Sequence, residues 1–324
     1  MKTKITNIAT LCTWFPEENT LLSKKDVEIL IEDSTIIQID STVGDAEVEI
    51  DADGALITPG FVDSHTHPIF SGNRANEFDM RVSGKSYEEI ASAGGGIISS
   101  IQGIRNASEE QLFEECLERV NFFLVHGTTT IEAKSGYGLT VEDEIKSLRV
   151  IKRLNEKSQL DIIPTFMGAH AIPPEFKDNP SGYVDLICEE MIPAVAEEGL
   201  AEYCDVFCEK GYFSVIDCRK ILETGMNYNL KPRLHADEFV DSGAAELAAE
   251  VGAVSADHLM AVSDSGINKM SEKGVVATLL PGTTLFLGKE SYADGRKMID
   301  LGCEVALATD FNPGSCTIQS MPLI

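Results

Sequence analysis

The chain has 324 residues, enough for one large domain and a small one, and 43% of them are hydrophobic, which suits a globular protein with a sizeable core. Its 53 acidic and 26 basic residues give a formal net charge of −27, a field that repels phosphate backbones and anionic bilayers and argues against a nucleic-acid or membrane partner. The eight cysteines, at 12, 116, 188, 204, 208, 218, 303 and 316, form no CxxC pair, and the opening MKTKITNIATLCTWF lacks the continuous apolar run of a signal peptide. A cytoplasmic protein with reduced thiols, acting on a soluble small molecule, is therefore expected.

Residues 2–57 read as short strands, because VEILIED, TIIQID and AEVEID are rich in β-branched residues and partly alternate. They predict a small, sandwich-like β domain over residues 1–57. From residue 58 onward, apolar runs alternate with acidic helical stretches such as SEEQLFEECLERVNFFLVHG and VEDEIKSLRVIKRLNEK. The predicted strands are Phe61–His67, Thr128–Lys134, Asp161–His170, Tyr203–Glu209, Pro232–Glu238, Ala256–Met260, Val275–Leu280 and Val305–Asp310. Strands alternating with helices imply a parallel sheet, and eight of them fit a (β/α)8 TIM barrel over residues 58–324. An open doubly wound sheet is the alternative architecture. After Asp310 too little chain remains for the helix that normally follows an eighth strand. A longer protein, cut shortly after strand eight, is the expectation drawn from that.

Chemistry concentrates at the strand ends. In a strand, alternate side chains share a face, so His65 and His67 in FVDSHTH point to one side. Five of the six histidines (His65, His67, His170, His235 and His258) fall at or near the C-terminal ends of predicted strands, the end where barrel enzymes keep their sites. His126 falls outside that group and reads as structural. Asp310 ends the eighth strand. His65, His67, His235 and Asp310 together make a three-nitrogen, one-oxygen set suited to one divalent metal, zinc or ferrous iron, with zinc preferred. Such an ion lowers the pKa of water toward neutrality. Asp310 is then placed to take a proton from the attacking water, His258 to polarise a carbonyl, and Glu238 to shuttle a proton or accept from a substrate N–H. Lys134 ends the second strand. Gly84-Lys85-Ser86 is not a P-loop, because Asp79 stands where its first glycine is required. The run Gly94-Gly95-Gly96 reads as a mobile or tightly turning loop, and no G-x-S-x-G elbow is present.

PGFVDSHTHPIF after a small β-unit resembles the amidohydrolase superfamily. SGNRANEFDMR, SYEEIASAGGGI, EAKSGYGL, MGAHAIPPEF, RLHADEF, SADHL, LLPGTTLFLG and ATDFNPGSC together resemble its imidazolonepropionase family, from about residue 57 to the chain end. The resemblance implies hydrolysis of 4-imidazolone-5-propanoate to N-formimidoyl-L-glutamate, a step of histidine degradation. It also implies the metal ligands named above, and, since the carboxylated lysine that bridges two metals in some amidohydrolases comes from the fourth strand, which here ends Phe207-Cys208-Glu209 without lysine, it implies one metal rather than two, with no bridging role for Lys134. By motif match, it assigns substrate contacts to Arg74, Tyr87, Tyr137, His170, Glu238, Asn312, Gly314 and Ser315. Family members can carry threonine where this chain has Ser315, and both residues offer a hydroxyl. Arg74 would hold the propanoate through a bidentate fork. A homodimer is the expected assembly. A deaminase of a nucleobase-like ring would share the metal set, but would need neither Arg74 nor the GGGI and HAIPP loops.

Overall fold

The computed structural model describes residues 1–15, 17–85, 89 and 95–324, which divide into two units, Met1–Gly60 and Phe61–Ile324. In the first, β1 (Lys2–Thr6), β4 (Glu28–Glu32), β5 (Thr35–Asp40) and β6 (Val48–Asp51) form a sheet in the order β5-β4-β1-β6. A second sheet joins β3 (Thr20–Lys24), β2 (Thr10–Phe15) and β7 (Leu56–Ile57). Ile8, Leu11 and Ile29 form its core, with Ile5, Ile31 and Ile57 packed against them. The turns use residues that tolerate a left-handed backbone, with Asn7, Asn19, Asp26, Asp33 and Asp53 all at positive φ.

The second unit holds eight parallel strands among the described residues: β8 (Phe61–Asp63), β9 (Thr128–Lys134), β10 (Asp161–Ala169), β11 (Tyr203–Cys208), β12 (Lys231–Ala236), β13 (Ser255–His258), β14 (Val276–Leu279) and β15 (Val305–Leu307). They pair in sequence order. The seam between the first and last is closed by main-chain bonds from His67 N to Phe311 O (2.7 Å) and from Asp310 N to His65 O (3.0 Å). The Asp63 carboxylate adds to the seam by accepting from the Thr309 amide (3.0 Å) and hydroxyl (2.6 Å). The fold is thus the (β/α)8 barrel that the strand rhythm predicts.

The intervening helices begin where the sequence supplies caps. Ser108, Thr140, Ser214 and Ser263 each accept a hydrogen bond from a first-turn amide, and Ser214 with Asp217 makes a reciprocal capping box. The helices lay apolar faces on the barrel. Leu112 and Phe123 of Glu109–Val125 and Leu148 and Ile151 of Val141–Lys157 are wholly buried, in one core with Ile131 and Ala133 of β9. Glu132 and Lys134, the alternating partners of those two strand residues, pair instead with groups inside the barrel. That alternation lets one short strand serve an apolar wall and a polar interior.

Candidate metal centre and substrate cavity

Three imidazoles and one carboxylate converge at the C-terminal mouth of the barrel. His65 and His67 stand just beyond the end of β8, His235 lies within β12, and Asp310 follows β15 at a positive φ of 53°. All four are nearly inaccessible to solvent. The His67 Nε2 lies 3.3 Å from both His65 Nε2 and His235 Nε2. Asp310 Oδ1 lies 3.5 Å from His65 Nε2 and 3.6 Å from His67 Nε2.

These distances are informative because the atoms are all potential lone-pair donors. His65 Nδ1 faces Asp257 Oδ2 at 2.6 Å and His235 Nδ1 faces Asp205 Oδ1 at 3.0 Å, so each ring donates through Nδ1 and turns a bare Nε2 to the centre. Burial, reinforced by Lys134, holds the pKa of both rings well below the usual histidine range, and burial with His170 beside it does the same for His67. The bare Nε2 atoms of His65 and His235 have no hydrogen to share, and His67 Nε2, which can carry at most one, faces both of them. Donors 2.0–2.1 Å from a tetrahedral ion lie about 3.3 Å apart, which matches the spacing here. The residues fit a divalent cation. Asp310 Oδ2 accepts from the Thr283 hydroxyl at 2.6 Å, leaving Oδ1 toward the histidines. Burial pushes the Asp310 carboxyl up to about 7, against the lowering by Thr283 and Asn312, and an adjacent cation would favour its ionised form. His258 sits at the edge of the cluster, within 4.8 Å of the donor atoms of His65 and His235. It ends β13 at a positive φ of 77°.

A cavity of about 420 Å³ opens over this centre, lined by His67, Asp310 and His258 together with Arg74, Tyr137, His170, Glu238, Asn312, Gly314 and Ser315. Glu238 Oε2 lies 3.7 Å from His258 Nε2. Burial pushes the Glu238 carboxyl up to about 8, with Asp310 and Glu209 adding to the rise and Lys289 opposing it. Burial lowers His170 and His258 to about 4, so both rings are neutral near pH 7. His170 donates through Nδ1 to Gly136 O at 2.9 Å and stacks on His67 with ring centroids 5.1 Å apart. Tyr137 packs against His170. The Asn312 side-chain oxygen accepts from the Gly314 and Ser315 amides at 2.8 and 2.7 Å, folding the turn after Asp310.

Arg74 lines the same cavity and forms a two-point pair with Glu77 at 2.8 and 2.7 Å. A Cβ on Gly314 would stand 2.1 Å from the Arg74 guanidinium, so glycine is what lets that side chain lie there. Of the sequence-predicted site, Tyr87 lies outside the described residues, as does Gly94 of the glycine run. His126 is remote: it caps the helix Glu109–Val125 and bonds through Nδ1 to Phe122 O at 2.9 Å.

Several site residues receive no role from the sequence reading. Thr283, Asp205 and Asp257 support three of the four converging side chains, Asp310, His235 and His65, while Arg81, Lys85 and Lys289 line the cavity. The signal for Asp205 is a lone charge inside an apolar strand, YCDVFC.

No family model matches the chain. An imidazolonepropionase from Geobacillus sp. (strain WCH70) is 55% identical over 287 residues, covering 89% of this chain and 67% of that protein. One from Brevibacillus brevis is 56% identical over 275 residues (85% and 65%), and one from Clostridium tetani is 50% identical over 307 (93% and 73%). The chain therefore spans about two thirds of the length of these relatives. Among solved structures, guanine deaminase from C. acetobutylicum aligns with TM-score 0.67 at 16% identity over 98% of this chain and 76% of that one. 5-Methylcytosine deaminase from Klebsiella pneumoniae aligns with TM-score 0.69 at 16% identity over 96% and 76%. At such identity the structural likeness speaks to the fold.

Proposed function

The chain belongs to the imidazolonepropionase family, and we propose that it hydrolyses 4-imidazolone-5-propanoate to N-formimidoyl-L-glutamate. The observation that carries this reading is the convergence of His65, His67, His235 and Asp310 beneath a cavity lined by the Arg74 guanidinium and the protonatable Glu238 carboxyl. His65, His67, His235 and Asp310 would hold one divalent ion, zinc in preference to ferrous iron. That ion, when bound, supplies an activated water and positive charge beside the scissile carbonyl.

The chain's own residues account for the rest of the reaction. Hydrolysis adds water across the lactam C–N bond: the carbonyl carbon gains a hydroxyl and the ring nitrogen leaves with a proton. Asp310 takes the proton that the attacking water loses. His258, neutral and therefore carrying one N–H, donates toward the carbonyl oxygen as charge develops there. Glu238, whose pKa lies near 8, is protonated at neutral pH and delivers a proton to the departing nitrogen. Arg74 holds the propanoate, and the Asn312–Ser315 turn, Tyr137 and His170 fix the ring between the two ends. Tyr87 is assigned to the same pocket by motif. The cysteines, all free among the described residues, support a cytoplasmic setting. No helix of the described residues is long and apolar enough to cross a membrane. The assembly is read as a homodimer, which light scattering would check.

The test is direct. Purified chain loaded with zinc should consume 4-imidazolone-5-propanoate, read as loss of substrate absorbance, and should carry close to one metal per chain by elemental analysis. Absence of turnover by metal-loaded protein, or two metals per chain, would overturn the reading.

A further inference from the structure

Five charged side chains lie inside the barrel next to the converging histidines, on β9, β11, β12 and β13. Glu132, Lys134, Asp205, Arg233 and Asp257 are all buried, and Lys134, Asp205 and Asp257 are completely so. They alternate in sign. Lys134 Nζ donates to Glu132 and to Asp205 Oδ2, both at 2.7 Å. Arg233 donates to Asp257 Oδ2 at 3.1 Å and to the Ser64 carbonyl at 2.7 Å, and its other terminal nitrogen lies 3.8 Å from Glu132. The two ends of this string are the acids that accept from the histidines: Asp205 from His235 at 3.0 Å and Asp257 from His65 at 2.6 Å.

Stability alone gives little reason for such a cluster. Burying five charges costs heavily in desolvation, and well-packed apolar residues of similar volume usually serve as well or better. The distribution of partners is also selective. His67 Nδ1 is buried with no hydrogen-bond partner among the described residues, whereas the other two converging rings each end on a carboxylate. An imidazole that donates through Nδ1 must present Nε2 as a lone pair, so each acid chooses the tautomer and the ring plane. Register puts each part in place. Asp205 is paired with Arg233 across β11 and β12, and His235 with Asp257 across β12 and β13.

We propose that Asp205 and Asp257 are positioning residues for the metal centre, held in place by the buried cations Lys134 and Arg233. Lys134 then acts on the centre only through Asp205 and His235, and is not itself a metal-bridging group. This rests on the functional reading only in taking the four converging side chains to bind a metal.

Two measurements on the full chain test it. In competition with a chromophoric chelator, Asp205→Asn and Asp257→Asn should each bind zinc about 10–100-fold more weakly than the parent. Lys134→Met should lose a similar factor, and the Lys134→Met/Asp205→Asn double variant should lose no more than the worse single variant. Should Lys134→Met fail to fold, the shape-conserving Asp257→Asn carries the test. Long-range ¹⁵N correlation of the imidazoles in the metal-free parent should show His65 and His235 protonated at Nδ1, and Asp205→Asn should release His235 from that state. Zinc affinity equal to the parent's in both Asn variants, or Nε2–H tautomers at His65 and His235, would overturn the proposal. A parent that binds no zinc while showing the Nδ1–H tautomers would instead overturn the functional reading and leave the carboxylate–imidazole geometry standing.

Discussion

Glu238 and Arg74 both line the cavity, and their environments predict different kinetic signatures. The Glu238 carboxyl is buried against His258 and faces Asp310, Glu209 and Lys289, and its pKa is raised to about 8. A carboxyl with a raised pKa keeps its proton below that value and loses it above. If Glu238 delivers the proton to the leaving nitrogen, the active form is the acid, and kcat/KM should fall as pH rises through about 8. Glu238→Gln should lower turnover and remove that alkaline limb, and a limb that persists in the variant would assign it to another group. Arg74 should be read in KM. Its side chain is mostly buried and already paired with Glu77, so it is a rigid fork rather than a mobile cation. Removing the fork with Arg74→Met should cost about 2–5 kcal/mol of substrate binding, the range for truncating one partner of a buried charge pair. An unchanged KM would place the propanoate elsewhere. The sequence motif points to Arg74, but the Glu77 partner that orients it, three residues on, was not singled out from the sequence.

Between β9 and the helix Val141–Lys157, six residues, 135–140, form a loop with a built-in clamp. The Glu144 carboxylate, in the first turns of that helix, accepts from the amides of Gly136 (3.0 Å), Gly138 (2.9 Å) and Leu139 (2.9 Å). Gly136 has φ of +108°, and a Cβ there would meet Met167 O at 2.9 Å, so glycine is required both for its conformation and for space. The clamp sets Tyr137 beside His170. Glu144→Gln offers one neutral acceptor in place of a carboxylate and should cost about 1.5–3 kcal/mol, as for a lost hydrogen bond to a charged group. Urea denaturation should show that loss, and KM should rise with it as Tyr137 and His170 shift. A destabilised variant with an unchanged KM would separate the loop from substrate binding. At this scale much was legible. The apolar β-branched runs located all eight barrel strands, because buried parallel strands read that way without knowledge of their neighbours. Their ends were less legible. β8 stops at Asp63 and β15 at Leu307, before the residues that matter, because His65, His67 and Asp310 leave the regular ladder to converge on one point. The clamp was not foreseen at all: Glu144 reads as an ordinary first-turn acid until the loop folds back on it.

The histidines stood out in the sequence because there are only six, whereas the charged cluster next to them did not, since Asp205 and His235 are 30 positions apart and neither alone announces the other. The same long-range geometry decides how the barrel closes. The seam between its first and last strands rests on few groups: the main-chain bonds of His67 and Asp310, and the Asp63 carboxylate on Thr309. The four proposed ligands straddle that seam, with His65 and His67 on one side, Asp310 on the other, and His235 across the mouth. A cation held among them would tie strand one to strand eight. Without it, the bare Nε2 of His65 and the Asp310 Oδ1, 3.5 Å apart across the seam, are left with no cation between them. Metal that binds the folded chain alone stabilises it by about 2.7 kcal/mol at a free concentration 100 times Kd, which at about 2 °C per kcal/mol corresponds to roughly 5 °C in Tm. Stripping the ion with a chelator should therefore lower Tm by about that much, reversibly on adding zinc. The loss should be local before it is global: hydrogen exchange of the His67 and Asp310 amides should accelerate in the metal-free protein, while the β10–β11 ladder on the far side of the barrel keeps its protection. If chelation slackens every strand equally, or leaves both the seam and Tm unchanged, the ion does not act as the tie across the closure.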